Sequence, residues 1–170
     1  VLDQAKTALE ANDAGTASAL FAQALASEPN NVTALAGLAR CHVAAGDFVR
    51  ARELIDKLPE GPAADAAVAA VRAAIELAEQ GADAGKIPEL RDRLARDEND
   101  HQARFDLAMA LYAAGERGQA IDELLELVRR GRKWNDEEAR KQLLKLFEAL
   151  GPTHPLTISG RRRLSSLLFA

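Results

Sequence analysis

The side chains able to do acid–base, thiol or metal chemistry are few and scattered. His42, His101 and His154 each stand more than fifty residues from the next, and the one cysteine, Cys41, lies beside His42. Zinc needs four ligands in closely spaced pairs, and no such grouping exists here. A neighbouring Cys and His can generate a thiolate nucleophile, but only in an accessible, electropositive setting; within an apolar helical pattern Cys41 reads as a small buried hydrophobe. No glycine-rich loop follows a strand to hold phosphate. The pairs Asp97-Glu98 and Glu137-Glu138 read as solvated helix ends favoured by the helix dipole. The expectation is a non-enzymatic chain with no catalytic residues, no metal and no cofactor. One cysteine permits no internal disulfide, which fits a cytoplasmic location, and no apolar run is long enough to span a bilayer.

What the chain repeats is a spacing of small and large apolar residues. Ala17, Phe21, Ala24 and Pro29 are followed by Leu38, Ala39, Gly46, Ala51 and Ile55, and the same order returns as Leu107, Ala108, Gly115, Ala120 and Leu124. This resembles the tetratricopeptide (TPR) rhythm, a helix pair of about 34 residues whose small residues let the backbones approach. Aligning residues 28–32 with residues 97–101 gives an offset of 69, about two periods, so a degenerate unit lies between. The expected fold is all-α, a TPR-like α-α superhelix of about four repeats (1–31, 32–60, a degenerate 61–100, and 101–133), with a helix-loop-helix extension, 134–170, packed on the array. Lys86 falls where the degenerate unit should carry a small residue. His42 takes a position that is aromatic and packed in such repeats, which favours a structural role over a proton switch.

Composition supports helices, with 48% hydrophobic but only 4% aromatic residues and alanine, the best helix former, prominent among them. Gly46 and Gly115 mark left-handed helix ends, and Asp47 is placed to cap the next helix. Pro29, Pro59, Pro62 and Pro88 punctuate helix ends. The longest helix is expected from Ala63 to Gln80. Beyond the repeats, Asn135 or Asp136 is expected to cap a helix reaching Leu150, and Pro155 opens a last one ending near Phe169. Val1 falls inside what should be a first helix, which suggests a missing upstream portion.

Function must then come from surfaces. First helices of TPR units line a groove, and in the last unit Phe105, Met109 and Tyr112 share one helical stripe; Arg40 takes the corresponding place in the second unit. This stripe either meets a partner or is covered by the chain's own C-terminal helices. Leu2 and Gly37 stand where some TPR grooves carry polar residues that clamp a terminal carboxylate, so such a clamp is not expected. Residues 129–170 hold ten Lys/Arg against four Asp/Glu, a net +6, leaving −10 for residues 1–128 given the total of −4. Either the two stretches attract each other, or the basic runs form a solvated face or meet an acidic protein partner. Without interleaved aromatics the arginine runs do not indicate nucleic acid.

The tail is the more specific signal. Residues 133–147, beginning Lys133-Trp134-Asn135-Asp136, then Leu150-Gly151, Pro155-Leu156, and Arg161-Arg162-Arg163-Leu164-Ser165-Ser166-Leu167-Leu168-Phe169, resemble the end of bacterial thioredoxin-plus-TPR proteins, the chaperedoxins (CnoX/YbbN family). The resemblance implies an N-terminal thioredoxin-like domain outside this chain, a TPR part that holds unfolding clients, and docking to the chaperonin GroEL through the last helix. Carried onto this sequence, the docking anchors are Leu164, Leu167, Leu168 and Phe169, flanked by Arg161, Arg162 and Arg163. Read from the residues alone, Leu164, Leu167 and Leu168 form an i, i+3, i+4 stripe that serves equally to cap the repeat array. The remaining alternative is a TPR scaffold for a folded protein or for its own thioredoxin domain.

Overall fold

The computed structural model describes residues 1–170, the side chain of residue 83 apart. It contains ten helices and no strand among the described residues. They are α1 (Leu2–Glu10), α2 (Ala14–Ser27), α3 (Val32–Ala44), α4 (Phe48–Ile55), α5 (Pro62–Asp83), α6 (Ile87–Arg96), α7 (His101–Ala113), α8 (Arg117–Arg130), α9 (Glu138–Leu150) and α10 (Pro155–Phe169). The fold is all-α and TPR-like, as the periodicity predicts. The helices form two compact units, Val1–Ile75 and Glu76–Ala170, with the boundary inside the 22-residue α5.

The turns inside the helix pairs follow one device. After α3, Gly46 adopts φ +77°, its N–H donates to the Val43 carbonyl, and the Asp47 N–H donates to the His42 carbonyl. This is the Schellman closure, which satisfies carbonyls the helix leaves unpaired. Gly115 after α7 does the same at φ +85°, with the N–H groups of Gly115 and Glu116 reaching Tyr112 and Leu111. Asn12 closes α1 in the same way at φ +60°, 34 positions ahead of Gly46. Helix starts are capped in kind. Carboxylate or amide oxygens of Asp13, Asn31, Asp47 and Asp100 accept from the N–H three residues on, at 2.9–3.2 Å.

Small residues then allow the helices to close. Ala17, Ala51 and Ala120 are fully buried, where a larger side chain would overpack. In the first unit, Ala17 and Phe21 of α2 pack with Ala5 and Leu9 of α1 and Ala34 and Cys41 of α3. A methyl group at Gly37 would overlap the Phe21 ring, so glycine sets the approach of α3 to α2. In the second unit, Leu90 of α6, Leu107, Ala110 and Leu111 of α7, and Ala120 of α8 form one cluster. The series continues through α9 packed on α8 and α10 packed on both. Each fully buried Leu or Phe in these clusters contributes about 1.5–3 kcal/mol relative to exposure.

Attraction between the acidic and basic stretches is visible inside the second unit. Arg163 of α10 meets Asp122 of α8 at 2.7 Å, Lys145 of α9 meets Glu76 at 2.9 Å, and Arg130 meets Glu98 at 3.6 Å. One sequence expectation fails here. Neither Asn135 nor Asp136 caps α9: residues 135, 136 and 137 are all left-handed, at φ +45°, +58° and +59°. Glu137 holds the N-cap position without a side-chain bond, and Asp136 pairs with Lys141 at 2.9 Å instead. The Asp136 carboxylate is thus engaged by the Lys141 ammonium and not by an N–H of the first turn.

Candidate functional site

The α7 stripe is covered from within the second unit. Phe105 is half-buried against Trp134, with ring centroids 5.6 Å apart, and His101 meets the same indole edge-on at 6.3 Å. Trp134 lies on the linker between α8 and α9. That linker hugs α7: a methyl group at Gly131 would fall 2.7 Å from Nε2 of His101. Met109 is only 1% exposed. Its sulfur accepts from Nε2 of Gln142 on α9 at 3.0 Å, and the same amide donates to Oε1 of Gln80 at 2.6 Å. Tyr112 packs against the α6–α8 cluster of Leu90 and Leu107. Met109 therefore lies in the core and is not open to a partner, a correction to its reading as a groove contact. Covering by the C-terminal segment, the other reading of the stripe, is what Phe105 and Met109 show. The sequence pattern points to neither Gln142 nor Trp134 as a covering residue, although a sole tryptophan is a legible signal.

The last helix divides into two faces. Leu164 is 5% exposed and faces inward with Thr157 and Gly160, both buried; a methyl group at Gly160 would overlap the Phe147 ring of α9. Leu164 is thus not open as a docking anchor, because α10 spends it on α8 and α9. Leu167 and Leu168 are half-buried. Phe169 at 84% and Ile158 at 51% are exposed, as are Arg161, Arg162 and Arg163. Ile158, Arg162, Ser165 and Phe169 recur at helical spacing along the outer face. α10 carries no acidic residue. Polar contacts hold it down, among them Arg163 to Asp122, and Nη2 of Arg132, on the α8–α9 linker, donating to the Leu168 carbonyl at 3.0 Å.

The reactive candidates fall into structural places. Cys41 is buried in the first unit, and burial pushes its thiol up to about 11, which suppresses the thiolate at neutral pH. His42 lies 3.9 Å from Asp47 beside the α3–α4 turn. His154 caps α10, its Nδ1 accepting from the Leu156 N–H at 3.1 Å. Arg40 is half-buried on α3 in the first unit. Leu2 packs on the first unit's core cluster. Among the described residues no group of three or more His, Cys, Asp or Glu is gathered as a metal site, and no helix is long and apolar enough to cross a membrane.

Stacked helix pairs whose side-chain faces are the available chemistry define a helical-repeat interaction domain. The chain belongs to the tetratricopeptide repeat family, whose profiles match residues 80–169 and 8–75. An uncharacterised protein of Mycobacterium tuberculosis is 30% identical over 158 residues, covering 91% of this chain and 50% of that protein. Cellulose synthase operon protein C of Komagataeibacter sucrofermentans is 35% identical over 97 residues, covering 56% of this chain and 7% of that protein. Among solved structures, a domain of unknown function from Vibrio parahaemolyticus aligns over 99% of this chain and 98% of its own with a TM-score of 0.46 and 20% identity. The chain spans about half the length of the mycobacterial relatives it matches. The matching family is a protein–protein interaction repeat.

Proposed function

We propose that this chain is the non-enzymatic interaction part of a cytoplasmic chaperedoxin-type protein, holding unfolding clients and docking to the GroEL chaperonin through the outer face of α10. The observation that carries this reading is that face itself, where Ile158 and Phe169 stand exposed around Arg161 and Arg162 on a helix without acidic residues. An amphipathic helix with apolar anchors and a cationic middle fits an apolar groove with an acidic rim. The anchors differ from those read in the sequence: Leu164 holds the helix to the repeats, while Phe169 remains, joined by Ile158. Phe105 and Tyr112 in the second unit are candidate client contacts, Arg40 in the first unit is a separate one, and any redox chemistry would belong to a thioredoxin-like domain outside these residues. The matched half of the mycobacterial relatives also favours a second reading, a scaffold for the protein's own further domain.

The test is co-purification with GroEL. The double variant Ile158→Ser/Phe169→Ser should keep its helicity and bind about thirtyfold more weakly, the effect of losing anchors worth ~2 kcal/mol. Reversing Arg161 and Arg162 to Glu should mainly slow association and change its salt dependence. Unchanged affinity of the folded double variant removes α10 as the docking helix and leaves the scaffold reading.

A further inference from the structure

We propose that the α8–α9 linker, residues 131–137, is a strained aromatic plug that closes the α7 face, and that its release is tied to the end of α10. Trp134 lies against Phe105 and His101, the face on which a client contact was placed above. Immediately after it come three consecutive left-handed residues, none of them glycine: Asn135, Asp136 and Glu137. Asn and Asp visit that conformation as single residues, but a run of three that ends in Glu137 is unfavourable, and such strain persists only where surrounding contacts impose it. The ring contacts of Trp134 impose it from one side. Arg132 imposes it from the other, through its bond to the Leu168 carbonyl. Within the turn itself the Trp134 and Glu138 N–H groups donate to the Gly131 and Trp134 carbonyls, and the Lys141 pair of Asp136 is largely exposed.

The linker therefore connects two surfaces that the sequence presents as separate. A partner seated at the end of α10 competes with Arg132 for the terminal turn, frees the linker to relax, and uncovers Phe105. Occupancy at α10 would open the α7 face. This consequence rests on α10 being the docking helix; the opening of the linker does not, and can be measured in the free chain.

Amide hydrogen exchange reads it directly, because the N–H of Trp134 bonds the Gly131 carbonyl at 3.0 Å and that of Glu138 bonds the Trp134 carbonyl at 3.3 Å. Arg132→Ala should speed exchange at both amides about fivefold, the loss of one hydrogen bond to a charged group at a solvated site. Removing Leu168–Ala170 should do the same, and the two changes together should go no faster than either alone. Gly131→Ala, which presses on His101, should also speed exchange. Glu137→Gly should slow it about threefold, strain relief outweighing the added freedom of glycine in the open linker. The amide of Leu124, inside α8, should keep its wild-type rate throughout. Independent, multiplying effects of Arg132→Ala and the truncation would overturn the coupling. Faster exchange in Glu137→Gly, or equal acceleration at Leu124, would overturn the strained plug. A chain that fails to bind GroEL still yields these rates, so the two proposals fail separately.

Discussion

At the scale of single residues, glycine and alanine decide how this protein packs. Gly37→Ala should destabilise the chain by about 1–3 kcal/mol, since the new methyl collides with the buried Phe21 ring and one helix must shift; urea unfolding at neutral pH measures it. Glu126 governs a small acid transition. The Arg129 guanidinium, then Arg130, hold its carboxyl down to about 2 from an ordinary 4.5. Its stabilisation is thus fully present above pH 4.5 and lost as pH falls toward about 2. Because the cluster is solvated, the effect stays under about 1 kcal/mol. Glu126→Gln should lower the urea midpoint at neutral pH, and the difference from wild type should shrink as pH falls through about 2. The packing roles of Ala17, Ala51 and Ala120 were legible because a small residue at fixed spacing in an apolar helix has one explanation. Gly37 was legible only as the absence of a polar ligand; its actual role depends on which ring lies opposite, and that is a tertiary fact. Met109 was misplaced for the same reason, since helical periodicity tells which residues share a stripe and not which neighbour covers it.

At the scale of elements, the repeat is written in its turns. Gly46→Ala should lower stability by about 1 kcal/mol because the Schellman closure after α3 needs a left-handed residue, and Asn12→Gly should raise it by a few tenths to about 1 kcal/mol at the equivalent turn after α1. Thermal unfolding followed by circular dichroism checks both, and equal effects of the same sign would contradict the equivalence of the turns. Gly46, Gly115 and the Asp47 cap were readable because turn chemistry is local. Asn12 is not distinctive as a helix end in the sequence, because asparagine is also common in ordinary loops. The start of α9 differs from its sequence signal because Asn135 and Asp136 carry good capping side chains that the fold does not use. Their backbone answers instead to Trp134, whose contact with Phe105 lies some thirty residues away in sequence.

At the scale of the whole chain, charge is sorted along the sequence and recombined by folding. The pairs Arg163–Asp122, Lys145–Glu76 and Arg130–Glu98 join the basic tail to acidic residues of the second unit. Raising NaCl from about 20 to about 500 mM should screen them and lower the melting temperature by about 3–6 °C, and replacing Arg163 with Gln should diminish that sensitivity. A melting temperature indifferent to salt would show the pairs to be incidental. The charge asymmetry was legible by counting; the partition at Ile75 and Glu76 was not, because α5 runs through it without any break in helical pattern. The same partition has an optical consequence. The only tryptophan and only tyrosine, Trp134 and Tyr112, both lie after residue 76, while residues 1–75 hold no ring absorbing more strongly than Phe21 and Phe48. Intrinsic fluorescence of this protein is therefore a spectroscopic view of one unit, and a melt followed by emission leaves the other unit dark.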